Sequence, residues 1–139
     1  MVAALASNNI TVTTVNDSYD APNGGDLTVA TSITSSSGND LTLIASDQLT
    51  SSYGANISLT GNLNLTAGPG GIQTIGNIDI GSSTLTSNSG GSAIFVGDVT
   101  AGNLSLTTTE TGSIIQSTKF KGGELNLVCL LYTSDAADE

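Results

Sequence analysis

The chain has few of the side chains on which catalysis and nucleic-acid recognition depend. Its 139 residues include no His, no Arg and no Trp, and its only cations are Lys119 and Lys121. Without His, and with one Cys at position 129, neither a Ser-His nor a Cys-His nucleophile can be assembled. Nucleic-acid binding requires clustered cations, whereas the net charge here is −10. We therefore expect no nucleic-acid partner.

Long apolar runs are also missing. No stretch approaches the ~18 consecutive apolar residues of a membrane helix, and Met1–Ala6 is too short for a signal peptide and lacks a basic start. Lys, Arg, Glu and Gln are rare, and no segment keeps an apolar period of about 3.6 residues. We expect essentially no helix and no membrane insertion by this segment.

The chain does contain a repeat of about 21 residues, a period typical of solenoids. Such a repeat cannot bury its apolar side alone and stacks on its neighbours. In the clearest pattern, apolar residues follow a glycine that recurs at a nearly constant spacing. Its members are Gly61–Leu65, Gly81–Leu85, Gly102–Leu106 and Gly123–Leu127.

Two further apolar patterns recur in each period. The second pattern comprises Gly71–Ile75, Gly91–Phe95 and Gly112–Gln116. The third keeps the same spacing from each member to the next and comprises Asn56–Leu59, Asn77–Ile80, Asp98–Ala101 and Lys119–Gly122. Three short strands per coil, joined by corners rich in Gly, Asn, Ser and Asp, predict an all-β fold, a parallel β-helix.

Alternation along the strands predicts which side chains form the core. The inward positions are Leu63, Leu65, Ile78, Ile80, Leu85, Val99, Leu104, Leu106, Phe120, Leu125 and Leu127. The outward position between each pair is taken by Asn64, Thr84, Ser105 and Asn126, and the next outward position by Thr66, Thr86 and Thr107. These outward residues are expected to form ladders about 4.8 Å apart.

The pattern loosens towards the N-terminus. Asn39–Leu43 fits the first face and Ser32–Thr34 the third, whereas Asp26–Val29 reads as an earlier first-face strand whose second face is shortened or lost. Asn16–Gly25 reads as a loop leaving the solenoid, and Asn9–Val12 as the start of one more coil. We predict about five coils, with residues 1–25 as an irregular first coil and loop, and residues 26–128 as the β-helix.

The last eleven residues, Cys129–Glu139, break both the period and the composition. They resemble one reading frame of a transposase-type sequencing adapter. We interpret residues 129–139 as a non-native tail, to be excluded from fold reasoning. The chain is then expected to be a fragment of a longer protein, cut after Val128 and also internal at its N-terminal side.

Short segments of the repeats resemble those of a known protein family. Gly61–Ala67, Ser105–Thr108 and Gly25–Val29 resemble the β-strand repeats of filamentous-haemagglutinin-like exoproteins and related autotransporter adhesins. The resemblance covers residues 9–128. It implies a right-handed β-helix stalk, secretion to the surface of a Gram-negative bacterium, and a role in adhesion and biofilm formation. It implies host-cell or matrix glycans and proteins as partners of the parent protein, and no catalytic residues.

An enzyme is the alternative, because parallel β-helices also include polysaccharide lyases and glycosidases. Asp79 and Asp98, on neighbouring coils, are the candidate acid and base. A lyase also needs a cation to stabilise the developing anion, and only Lys119 and Lys121 are present. We favour two solvated carboxylates and expect a protein that is not an enzyme, with no catalytic residues.

The sequence also bears on two other kinds of site, a calcium site and an ice-binding surface. Gly68–Gly71 is not followed by an Asp in the register of calcium-binding repeats, and Asp17, Asp20 and Asp26 read as a polar loop. We expect no metal and no cofactor. A further alternative is an ice-binding solenoid, suggested by a column of Thr66, Thr86 and Thr107, although Thr is equally expected as a β-former.

Overall fold

The computed structural model describes residues 2–14, 25–109, 113–116 and 120–129. This part of the chain contains one short helix and sixteen strands. In chain order they are α1 Val2–Leu5, β1 Ile10–Thr13, β2 Leu27–Val29, β3 Ile33–Ser35, β4 Leu41–Ile44, β5 Gln48–Ser51, β6 Ile57–Leu59, β7 Leu63–Ala67, β8 Gly71–Thr74, β9 Ile78–Asp79, β10 Thr84–Ser89, β11 Ala93–Phe95, β12 Val99–Thr100, β13 Asn103–Thr108, β14 Ile114–Gln116, β15 Phe120–Lys121 and β16 Glu124–Cys129.

The strands form three parallel sheets. The first sheet has the order β1-β4-β7-β10-β13-β16, the second β2-β5-β8-β11-β14 and the third β3-β6-β9-β12-β15. Each strand therefore pairs with the strand that follows it three elements later, which is the connectivity of a three-sided parallel solenoid. The predicted all-β parallel β-helix is confirmed, and five strands in each of two sheets agree with about five coils.

A thin apolar core runs between the three sheets. Burial alternates along the strands, as in β7, where Leu63, Leu65 and Ala67 are buried and the residues between them are not. Of the predicted inward residues, those in the interior of the stack are all buried: Leu63, Leu65, Ile78, Ile80, Leu85, Val99, Leu104 and Leu106. Phe120 is only partly buried. Leu125 is 48% exposed because its strand, β16, pairs on one side only among the described strands.

The third sheet has the predicted register. Ile57 pairs with Ile78, Ile78 with Val99, and Val99 with Phe120, so the spacing along the chain is the same at each step. The earlier assignment of Ser32–Thr34 to this face is also confirmed, since Ile33 pairs with Ile57.

The first sheet departs from its predicted register at one coil. Leu85 pairs with Leu63 and Leu104, whereas alignment of the glycines placed it beside Leu65 and Leu106. That register is wrong by two residues. Gly81 lies in a turn closed by a hydrogen bond from the Ser83 amide to the Ile80 carbonyl, so it plays a different part from the other glycines.

Two second-sheet assignments are also wrong. Leu27–Val29 pairs with β5 in the second sheet, so the second face of the first coil is present and not lost. Ile72 pairs with Ala93, so Gly71 lies beside Ser92 and the glycine alignment of Gly71 with Gly91 was wrong by one residue. Such a shift exchanges the inward and outward faces of a strand.

The N-terminal assignments are mixed. Ile10–Thr13 pairs with β4, which confirms a further coil, and Leu41 pairs with Leu63 as predicted. The helix α1 is an exception to the expectation of essentially no helix, although it has only 4 residues. Most of the predicted loop Asn16–Gly25, Lys119, and the tail beyond Cys129 lie outside the described residues.

Candidate functional site

The two carboxylates of the enzyme alternative lie on neighbouring coils in the predicted register, two residues out of step with each other. Asp79 lies in the third sheet beside Ser58 and Thr100, not beside Asp98. Its Oδ1 accepts a hydrogen bond from the Gly81 amide at 3.1 Å, which stabilises the turn leaving the sheet. Asp98 precedes β12, and its amide donates to Asn77 Oδ1 at 2.9 Å. The two residues therefore belong to different columns of the solenoid, and each makes a hydrogen bond that supports a corner.

Asp26 and Asp47, which lie at other corners, also accept hydrogen bonds from backbone amides. Asp26 Oδ1 accepts a hydrogen bond from the Gln48 amide at 3.2 Å, and Asp47 Oδ1 accepts one from the Gly70 amide at 2.8 Å. Within the described ranges, no group of three or more His, Cys, Asp or Glu side chains is placed to hold a metal ion. Asp17 and Asp20 lie outside those ranges.

A ladder of side-chain oxygens runs along the corner that enters the third sheet. Ser32 Oγ accepts from the Asn56 amide, Asn56 Oδ1 from the Asn77 amide, and Asn77 Oδ1 from the Asp98 amide, at 3.0, 2.8 and 2.9 Å. Each oxygen belongs to one coil and its donor to the next coil. These corner amides cannot pair within a sheet, so the side chains satisfy backbone donors that would otherwise depend on water.

A second ladder occupies the corner that enters the first sheet. Asn9 Oδ1 accepts from the Asp40 amide, Asp40 Oδ1 from the Asn62 amide, and Asn62 Oδ1 from the Thr84 amide, each at 2.9 Å. The direction is again from the amide of one coil back to the side chain of the preceding coil. The two ladders explain why short polar residues recur just before the strands of the first and third faces. We refer to them together as the corner ladders.

The outward face of the first sheet carries regular columns of side chains. Two columns consist of small, uncharged polar side chains with one aliphatic exception, Ile44. One column is Thr11, Thr42, Asn64, Thr86, Ser105 and Asn126, and the other, read from β1 to β13, is Thr13, Ile44, Thr66, Asn88 and Thr107. Along the first column, Asn64 Nδ2 donates to Thr42 Oγ1 at 3.3 Å. These two columns offer hydroxyl and amide groups with no formal charge, whereas a third column, Thr84, Asn103 and Glu124, ends in a carboxylate.

The predicted threonine column does not exist in this register. Thr86 lies between Asn64 and Ser105, whereas Thr66 and Thr107 flank Asn88 in the other column. The two-residue shift of β10 is the reason. The regular threonine array on which the ice-binding alternative was based is therefore interrupted in both columns.

Two buried hydroxyls interrupt the apolar core. Ser87 lies in the first sheet between Leu65 and Leu106, and Thr74 in the second sheet beside Phe95. Among the described side chains, Thr74 Oγ1 and Ser87 Oγ are the buried polar atoms without a hydrogen-bond partner. Neither hydroxyl has a His or a Lys in register beside it. They are interruptions of the core and lack the neighbours that would activate a nucleophile.

Comparisons with known proteins add no relative. The sequence matches no protein-family model. Curated proteins and solved structures also gave no match. In the described residues, no helix has the length and apolar character to span a membrane. A function for this chain therefore rests on the solenoid and on the surfaces that it presents.

Proposed function

We propose that this chain is a stalk or passenger segment of a large, secreted or surface-exposed bacterial adhesin, which supports adhesion and biofilm formation. The observation that carries the proposal is the continuous stack of coils. In this stack, carboxylates that could take part in catalysis accept hydrogen bonds from backbone amides at the corners. The repeat phrases of the sequence, which resemble those of filamentous-haemagglutinin-like proteins, support the same proposal and a location at the surface of a Gram-negative bacterium.

The stack has the mechanical layout of a spacer. Consecutive coils are joined by strand pairing in three sheets and by the corner ladders. Each coil adds about 4.8 Å along the axis, so length grows in proportion to the number of repeats. Because each coil contacts only its neighbours, a long array needs no other scaffold.

The outward surface also suits a spacer. Two outward columns of the first sheet, one from Thr11 to Asn126 and one from Thr13 to Thr107, carry no charged residue, and the chain as a whole has a net charge of −10. Short uncharged side chains on the sheet face and scattered carboxylates at the corners keep a rod soluble. In the parent protein, host-cell or matrix glycans and proteins are the proposed partners.

The experiment uses the full chain as a spacer on a bacterial surface. It is fused between an outer-membrane anchor and a glycan-binding reporter, and capture of glycan-coated beads is measured. We expect more capture than with the reporter fused directly to the anchor, because the folded rod extends the reporter outward. The control is the same fusion carrying Leu104→Asp, which places a charge in the core and should lose the gain.

Two outcomes would contradict the proposal. One is equal bead capture by the native chain, its Leu104→Asp variant and the direct fusion. The other is catalysis: if the purified chain cleaves a pectin- or alginate-type polymer and Asp79→Asn abolishes the cleavage, the protein is a carbohydrate-active enzyme. Product formation that is unchanged by Asp79→Asn would point to a contaminant and leave the stalk proposal standing.

A further inference from the structure

The two ends of the solenoid are finished differently. At the N-terminal end, α1 packs against β3, the end strand of the third sheet. Every other third-sheet strand has a strand on that side, so α1 occupies the place of a preceding strand. A helical turn presents no extended strand edge to a neighbour, and the carbonyls of Val2 and Ala4 accept hydrogen bonds from the amides of residues 6–8.

Leu5 fixes α1 on this end. Its side chain is fully buried and belongs to the apolar core. Its carbonyl accepts two hydrogen bonds from the corner between β3 and β4, one from Ser37 Oγ at 2.7 Å and one from Asn39 Nδ2 at 2.9 Å. Asn9, just beyond α1, starts one of the corner ladders through the Asp40 amide. Residues 2–9 therefore supply both apolar and polar contacts that a preceding coil would supply.

The ladder residue of the end strand beneath α1 is more deeply buried than its counterparts in the other two sheets. Ile33 of β3 is only 3% exposed, although it lies in an end strand. Ile10 and Leu27, at the ends of the other two sheets, are only partly buried. Next to them an apolar cavity of about 220 Å³ opens at the end of the core, lined in part by Val12, Leu27 and Val29. The end is thus covered by α1 over β3, and its apolar cavity extends from the first two sheets to Ile33.

The opposite end has inward residues in matching positions. Ladder pairing relates Leu125 to Ile10 through the first sheet, Ile114 to Leu27 through the second, and Phe120 to Ile33 through the third. Leu125 is 48% exposed, and Ile114 and Phe120 are partly buried. A second copy could therefore stack its N-terminal end on the end formed by β14, β15 and β16 and continue all three sheets, if α1 were not in the way.

We propose that α1, held by Leu5, is a cap that blocks head-to-tail stacking of copies of this chain. Head-to-tail contacts between identical ends that do not close into a ring generate open filaments, and three parallel sheet edges are a template for them. The cap blocks one of the two surfaces that such a contact needs. The partner that it excludes is a second copy of the same solenoid.

The test compares the full chain with its Leu5→Asp variant by sedimentation velocity over a range of concentrations. A charge at this buried position should displace α1, and we expect concentration-dependent growth to large species in the variant while the native chain keeps a constant size. Val2→Asp is the matched control, because Val2 lies on the same helix and is 44% exposed; it should behave as the native chain does. Amide exchange at Ile33–Ser35 should become faster in Leu5→Asp only.

A second substitution tests the geometry of assembly. Adding Leu125→Lys to Leu5→Asp places a cation on the opposite end and should abolish growth. A Leu5→Asp chain that keeps the native size despite faster exchange at β3 would overturn the proposal, as would growth that Leu125→Lys does not reduce. If Leu5→Asp does not fold, the pair Ser37→Ala and Asn39→Ala replaces it, since it removes both hydrogen bonds to the Leu5 carbonyl without touching the core; constant size of that variant with unprotected β3 amides would equally refute the cap.

Discussion

The third and first sheets of this solenoid are built from the same chain, yet they repeat differently. In the third sheet Ile57, Ile78, Val99 and Phe120 follow one another at a constant spacing along the chain. In the first sheet the spacing varies, because the step from Leu85 to Leu104 is shorter than the step from Leu63 to Leu85. From Ile57 onward, the third sheet thus repeats at a constant spacing along the chain, whereas the first sheet does not.

The second sheet shows where the irregularity is absorbed. Its residues Ile72, Ala93 and Ile114 are separated from the third-sheet residues of the same coils, Ile57, Ile78 and Val99, by the same length of chain in these three coils. Within that constant span the first-sheet leucine, which is Leu63, Leu85 or Leu104, falls at a different place in each coil. In these three coils the first-sheet strand therefore shifts between its two corners while the other two sheets keep a constant spacing. The step into them from the preceding coil is longer in both of those sheets, from Ile33 to Ile57 and from Leu49 to Ile72.

Glycines at the two corners differ accordingly. Gly76 and Gly97 occupy the same position in the corner entering the third sheet; a Cβ on Gly76 would lie 1.9 Å from the Ala55 carbonyl oxygen, and one on Gly97 2.3 Å from that of Gly76. Gly81, in the corner entering the first sheet, has φ of +57° and no atom within 4 Å of a Cβ position. Gly76 and Gly97 are thus packed backbone against backbone, whereas Gly81 has free space. Gly81 is an exception at its own corner, because a Cβ on Gly61 or Gly102, in the adjacent coils, would lie 2.1 Å from a backbone carbonyl oxygen.

The largest expected effect comes from a charge placed in the core of the first sheet, and it tests whether this sheet is as well packed as the third sheet. Leu104→Asp places a carboxylate in the first-sheet core and should cost at least about 3 kcal/mol of unfolding free energy or prevent folding. Ser105→Asp, one residue on and outward, should change it by less than about 0.5 kcal/mol. Urea unfolding of both variants measures the difference. Similar midpoints for the two would contradict the observed facing of β13.

The next effect sharpens the contrast between corners. Gly76→Ala introduces a methyl group that overlaps the Ala55 carbonyl, and we expect a loss of about 2–3 kcal/mol. Gly81→Ala meets no neighbour and should cost only the strain of a positive φ, about 1 kcal/mol. Thermal unfolding followed by circular dichroism compares the two variants. A larger loss at Gly81 would contradict the close backbone contact at Gly76 and the free space at Gly81.

A smaller effect concerns a feature that both corners share. Asn77→Ala removes the acceptor of the Asp98 amide, and Asn62→Ala that of the Thr84 amide. Each should cost about 1 kcal/mol, the usual net value of one hydrogen bond. Because the corner ladders are equivalent, the two losses should agree within error in denaturant titrations. A loss at only one of the two positions would show that the ladders differ in strength.

The smallest expected effect has the opposite sign. Ser87 Oγ is buried without a partner, so Ser87→Ala should stabilise the chain by up to about 1 kcal/mol. The control is Ser89→Ala in the same strand, because Ser89 Oγ donates to the Ser92 carbonyl and accepts from the Gly91 amide; it should destabilise. Differential scanning calorimetry of both variants gives the two signs, and a destabilising Ser87→Ala would mean that its hydroxyl is satisfied.

The difference between sheets also explains which predictions from sequence succeeded. The third face was read correctly because each coil contributes an apolar residue after a polar corner residue, as in Asn56-Ile57 and Asn77-Ile78. On the first face, the segment around Leu85 has only one leucine, since Ser87 stands where Leu65 and Leu106 stand in adjacent coils. A single leucine fits either of two registers, and the glycine at position 81 favoured the wrong one.

Other features could not be predicted from one sequence. The cap depends on Leu5, and a four-residue helix has no periodic pattern to reveal it. The composition of the outward columns depends on the register, so a shift of two residues was enough to create a threonine column that does not exist. The corner ladders left a visible trace in the recurrent Asn and Asp before strands, but their direction, from each amide to the preceding coil, is a property of the folded stack.

That direction has a consequence for how the chain acquires its fold. Each coil carries side-chain acceptors, such as Asn9, Asn56 and Asn77, for amides of the coil that is synthesised after it. A chain emerging with its N-terminus first meets a template that is already complete, and each addition closes a segment of only about 21 residues, which keeps the entropic barrier low. We therefore expect the coils to fold one after another from the end capped by α1 towards the C-terminus. Amide protection is expected to be lost in the reverse order, beginning at β16.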